Sequence, residues 1–139
     1  MRIRYKGIIR KTDIEPFTLI KKITFELDKP GYKIINQTEN SVEFKYNIWG
    51  IGSRSDVFKY IDGGTFDIFP ERKIVIFSFY LSPIFEIIAS VIAAFWGITK
   101  DSNMFFFNVF IAIMFIIRII STKMMANRMM ENILNLELP

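Results

Sequence analysis

The sequence predicts an α+β fold: an N-terminal antiparallel sheet with one packed helix, followed by a two-helix transmembrane hairpin and a C-terminal amphipathic helical tail. Three observations lead there. Before residue 80, apolar and polar residues alternate in several short runs, as half-buried strands require. Two nearly uninterrupted apolar stretches then follow, at 81–98 and 104–120. Charge divides the same way, with fourteen of the eighteen Lys and Arg and ten of the fourteen Asp and Glu lying before residue 74. The chain thus reads as a polar domain over 1–80, a membrane hairpin over 81–121 and a tail over 122–139.

In the first part, "MRIRYKGIIR" places Met1, Ile3, Tyr5 and Ile9 on one strand face and Arg2, Arg4, Lys6 and Arg10 on the other. Thr12-x-x-Glu15 has the pattern of a capping box, and Pro16 suits a first helical turn. Phe17, Ile20, Ile23 and Leu27 then recur at helical spacing until Lys29-Pro30-Gly31 ends the helix. "YKII" and "SVEFKYNI", joined by "NQTEN", predict a hairpin. "DVFKYI" and "TFDIF", joined by a turn at Asp62-Gly63-Gly64, predict a second, and a last strand runs from about Lys73 to Tyr80. The expected order is mostly a sequential meander.

In the second part, the stretches of 18 and 17 residues each extend roughly 26 Å as helices, close to the hydrocarbon thickness. "TKDSN" between them permits only a tight turn, so the two ends share one side. Arg72, Lys73, Lys123 and Arg128 flank that side, which makes it the cytoplasmic one in a multi-pass inner-membrane protein with both termini inside. Tyr80 and Trp96 fall near the two expected boundaries. Ala89, Ser90, Ala93 and Gly97 on the first helix, with Asn108 and Ala112 on the second, form a small-residue packing face. Folding at Asp101 also brings Glu86 to about the depth of Arg118, within roughly 3 Å at 1.5 Å per residue, and predicts an intramembrane charged pair. Beyond Ser121, Met125, Met129, Ile133 and Leu136 keep helical periodicity, so the tail offers an apolar face to the protein's own domain, a partner or the membrane surface.

Cysteine and histidine are both absent, which excludes disulfides, thiol nucleophiles, imidazole bases and Cys/His metal centres. Asp56, Asp62 and Asp67 are separated by turns and strands and suggest no metal site. The glycines of "WGIGSR", residues 49–54, lack the spacing of a nucleotide fingerprint. No catalytic residues, no metal and no cofactor are expected. The mild positive excess gives no reason to expect nucleic acid, and the Arg2, Arg4, Lys6 face is expected to be solvated. After "MRIRYKGIIRK", Thr12, Asp13 and Glu15 occupy the place where a signal peptide needs apolar residues. An abundance of Ile, Phe, Lys and Asn is in keeping with an A/T-rich bacterial genome. The expected function is that of a small, non-enzymatic integral membrane accessory, scaffold or regulatory protein whose cytoplasmic domain binds a protein partner. Lipid surrounds its hairpin, as part of a homo-oligomer or a larger membrane complex. The alternative is an oligomeric ion pathway or membrane-permeabilising protein in which Glu86 lines a polar route.

Overall fold

The computed structural model describes residues 2–29, 31–46, 61–99 and 104–137, without the side chains of Lys6, Met104 and Phe105. In chain order these form β1 (Ile3–Lys11), α1 (Pro16–Asp28), β2 (Tyr32–Gln37), β3 (Ser41–Tyr46), β4 (Gly63–Phe69), β5 (Ile74–Leu81), α2 (Ile84–Thr99) and α3 (Met104–Asn135). A single 3-10 turn at Pro70–Arg72 joins β4 to β5 and closes on Lys73, whose φ of 50° is left-handed. The expected "DVFKYI" strand and "WGIGSR" loop lie at or beyond the margin of the described residues.

The five described strands form one antiparallel sheet in the order β1-β5-β4-β3-β2, a meander from β2 to β5 with β1 added at the far edge. One face carries the core. Phe44, Phe66 and Phe77 are fully buried there, with the Phe66 and Phe77 rings stacked at 4.1 Å between centroids. From α1, Leu19, Ile20, Ile23 and Leu27 cover this face, and the C-terminal half of α3 completes the cover with Ala126, Met129, Met130 and Ile133. Each of these apolar stripes recurs at three- and four-residue steps, the period that keeps one helix face inward.

Several local expectations are corrected. β1 changes register between Tyr5 and Ile8, so Ile8 packs on the core while Ile9 is exposed. Gly7 sits in that irregularity, where a Cβ would collide with Ile76. Thr12 does not act as a capping-box residue. Its Oγ1 accepts from the Ile14 N–H at 3.2 Å, Glu15 is the N-cap without a side-chain bond, and Phe17 points outward. Gly63 and Gly64 are not turn residues but the start of β4, because the neighbouring strands leave no room for a Cβ. At Gly64 it would lie 2.6 Å from the Ser78 carbonyl oxygen.

The main correction concerns the helices. The two-helix transmembrane hairpin is not what the chain forms: among the described residues only α3 is long and apolar enough to cross a membrane. Its partner α2 has 16 residues, about 24 Å, where a span needs roughly 20 residues. The sheet takes the difference. Leu81 belongs to β5, paired with Ile3, and the helix begins only after Ser82 and Pro83. Nor is the tail a separate element, since α3 runs 32 residues without a break and its second half is part of the domain core.

Candidate functional site

Three charged side chains, brought from distant parts of the chain, meet where the helices leave the sheet. Asp62 precedes β4 and is fixed there by its backbone, whose carbonyl accepts from the Tyr46 N–H at 3.0 Å. Its Oδ2 accepts the Ser82 N–H at 2.6 Å, which ties the end of β5 to the start of β4. Glu86 lies in the first turn of α2, where the helix dipole favours an anion. Arg118 reaches both from the middle of α3: its Nη1 donates to Glu86 Oε1, and its Nη2 faces Asp62 at 3.4 Å. The Arg118 carbonyl accepts from the hydroxyl of the fully buried Thr122 at 2.7 Å.

This cluster is secluded but incomplete. The side chains of Arg118, Glu86 and Asp62 are 10%, 13% and 29% exposed. Glu86 Oε2 and Arg118 Nε are buried without a hydrogen-bond partner. One guanidinium against two carboxylates leaves a net negative charge when all are ionised. Burial pushes the Asp62 carboxyl above its usual range, and the Glu86 carboxylate adds to that. The Ser82 N–H and Arg118 pull it back without cancelling the rise. The arrangement can therefore clamp sheet, α2 and α3 together and hold a proton on Asp62 more readily than an exposed aspartate would.

The small-residue face takes up the same side of α2 as Glu86. Ala93 is buried, and Ala89, Ser90 and Gly97 are half-buried in a helix otherwise almost wholly exposed. The less exposed seam of α3 runs through Asn108, Ile111, Phe115, Arg118 and Thr122, alternating three- and four-residue steps as two closely packed helices require. Ala112 is exposed and lies off that seam; Ile111 occupies its level. Asp62 is the member that sequence reasoning missed. Its neighbours Gly63 and Gly64 resemble a turn, and no periodicity connects it with Arg118, 56 residues away.

A second feature lies on the far side of α1. A broad groove of about 1360 Å³ runs between α1 and the β2–β3 hairpin, lined by Phe17, Ile20, Phe25, Tyr32 and Ile34, with Lys21, Asp28 and Glu39 at its margins. Phe17 and Phe25 are exposed on its rim, each beneath a lysine ammonium, at 4.4 Å for Lys21 and 5.1 Å for Lys29. Among the described residues β2 is an edge strand.

Comparison with protein-family models, with curated proteins and with solved structures finds no match. The reading of function rests on the geometry.

Proposed function

We propose that this chain is a small membrane-anchored accessory, scaffold or regulatory protein, without catalytic activity of its own, whose α+β domain binds a protein partner beside the bilayer. One observation carries the proposal: the apolar surface of α2 and of the first half of α3 is uncovered. Phe95, Ile98 and Phe106 are 72%, 86% and 77% exposed, and Phe85, Val91, Ile92, Phe107, Phe110, Ile116 and Ile117 are exposed with them. A contiguous patch of this kind on a chain in water is a liability, and a lipid environment removes it.

Magnitudes support α3 as the anchor. Between Phe106 and Ile120 it carries eleven Ile, Val and Phe residues, together favouring insertion by roughly 3 to 7 kcal/mol against roughly 3 for the charge of Arg118. The contact with Glu86 lowers that opposing cost. The groove between α1 and β2 supports the partner: its apolar rim residues, flanked by Lys21, Asp28 and Glu39, suit an amphipathic peptide segment.

Fractionation of cells expressing the full chain tests the reading. The expected result is a pellet resistant to alkaline carbonate and released by detergent. Recovery as a monodisperse protein without detergent would overturn it.

A further inference from the structure

The outer face of the sheet carries a row of cations at the end where α2 departs. Pairing places Arg4 opposite Tyr80, Tyr80 opposite Gly63, Gly63 opposite Lys45 and Lys45 opposite Lys33, so these five residues cross all five strands side by side on one face. Arg2 adds its guanidinium over the Tyr80 ring, 4.9 Å from the centroid. Gly63 lets the Tyr80 hydroxyl lie across the sheet, in space that a Cβ would fill. Tyr80 is only four residues before the first residue of α2.

Nothing among the described residues neutralises this row. Arg2, Arg4, Lys33 and Lys45 make no ion pair there, and Glu43, one row further from α2, makes none with them. Lys33 and Lys45 stand directly opposite one another, an arrangement that weakens a sheet unless an anion lies between.

We propose that this row is a docking surface for the anionic headgroups of the bilayer that receives the first half of α3. The inference rests on the membrane reading above and adds a lipid preference to it. Lysine and arginine at a negatively charged lipid surface attract phosphate within a Debye length, and Tyr80 suits the boundary between apolar and wet. The row sits where β5 hands over to α2, whose Glu86 is bonded to Arg118 of α3, so insertion of the first half of α3 brings it to the headgroup layer.

The test uses the full chain transferred from detergent to two sets of vesicles, phosphatidylcholine alone and phosphatidylcholine mixed with phosphatidylglycerol. Binding to both is expected, tighter to the anionic set. Lys33→Gln and Lys45→Gln should each reduce that preference roughly fivefold while leaving binding to phosphatidylcholine unchanged. High salt should remove the preference in the parent protein. Failure to bind phosphatidylcholine would overturn the membrane reading and this inference with it. Binding to phosphatidylcholine with no anionic preference, or with one that both variants retain, would overturn the inference alone. So would a variant-sensitive affinity for an oligonucleotide with an unaltered lipid preference.

Discussion

Arg118 of α3 donates to Glu86 of α2, 32 residues away in sequence, and the bond closes the seam between the two helices where they meet the sheet. The same guanidinium faces Asp62, so one cation is shared by two carboxylates from distant parts of the chain. Removing different members should therefore have unequal effects. Arg118→Met leaves Asp62 and Glu86 facing each other without a counter-charge and should destabilise by about 3–5 kcal/mol. Glu86→Gln keeps the Asp62 contact and should cost about 1–2 kcal/mol. Chemical unfolding in detergent micelles measures both, and equal losses would contradict this division of roles.

Charge reversal sharpens the point. Glu86→Arg with Arg118→Glu restores an ion pair across the seam but sets the new carboxylate against Asp62. Rescue by the double swap should be partial, and adding Asp62→Asn should complete it. Full rescue by the double swap alone would remove Asp62 from the cluster.

Asp62 also gives a pH dependence of definite sign. Its carboxyl is raised in the folded chain, mainly by burial, so its contribution favours folding most below the unfolded value of 3.8 and is lost as pH rises through the higher folded value. Asp62→Asn removes the ionisation and can still accept the Ser82 N–H. The variant should be at least as stable as the parent at neutral pH, with its relative advantage shrinking as the pH falls through the raised folded value towards 3.8. A parent protein that gains on the variant at neutral pH would reverse the sign.

Gly64 tests the sheet. A Cβ there would meet the Ser78 backbone oxygen at 2.6 Å, with the Phe77 ring at 3.0 Å and the Phe44 ring at 3.2 Å, none free to withdraw. Gly64→Ala should cost about 1–3 kcal/mol, the usual range for overpacking. Gly31 has a left-handed φ of +78°, which strains any side chain and Asn least, so Gly31→Asn should cost less than Gly31→Ala in the same chemical unfolding assay.

Met130 tests whether the second half of α3 belongs to the domain. It is fully buried in the core, so Met130→Ala should lose about 2–5 kcal/mol, and a chain ending at Ser121 should lack a cooperative unfolding transition. An unchanged transition in the truncated chain would make the tail dispensable.

Much of the sheet was legible because its signals are local. Alternation marked Val42, Phe44 and Tyr46, and "NQTEN" marked the hairpin that joins β2 to β3. The Ala89-Ala93-Gly97 spacing pointed to the side of α2 that packs, and depth alone brought Glu86 beside Arg118. What escaped was set by neighbours along other strands. Gly63 and Gly64 look like a turn until Phe44, Ser78 and Tyr80 are placed beside them. Leu81 looks like the start of a span until Ile3 pairs with it. The cationic row is invisible in sequence because its members come from five strands, and only register aligns them.

The central claim is that the first half of α3 is covered by lipid. Spin labels placed singly at Val109, Phe110, Ile113, Ile116 and Ile117 of the full chain in vesicles test it by collision with oxygen, which concentrates in hydrocarbon, and with a water-soluble nickel complex. The account predicts high oxygen and low nickel accessibility at all five, each exposed in the structure. Greater accessibility to nickel, or exclusion of both reagents, would mean that water or another protein covers this surface and would contradict the account.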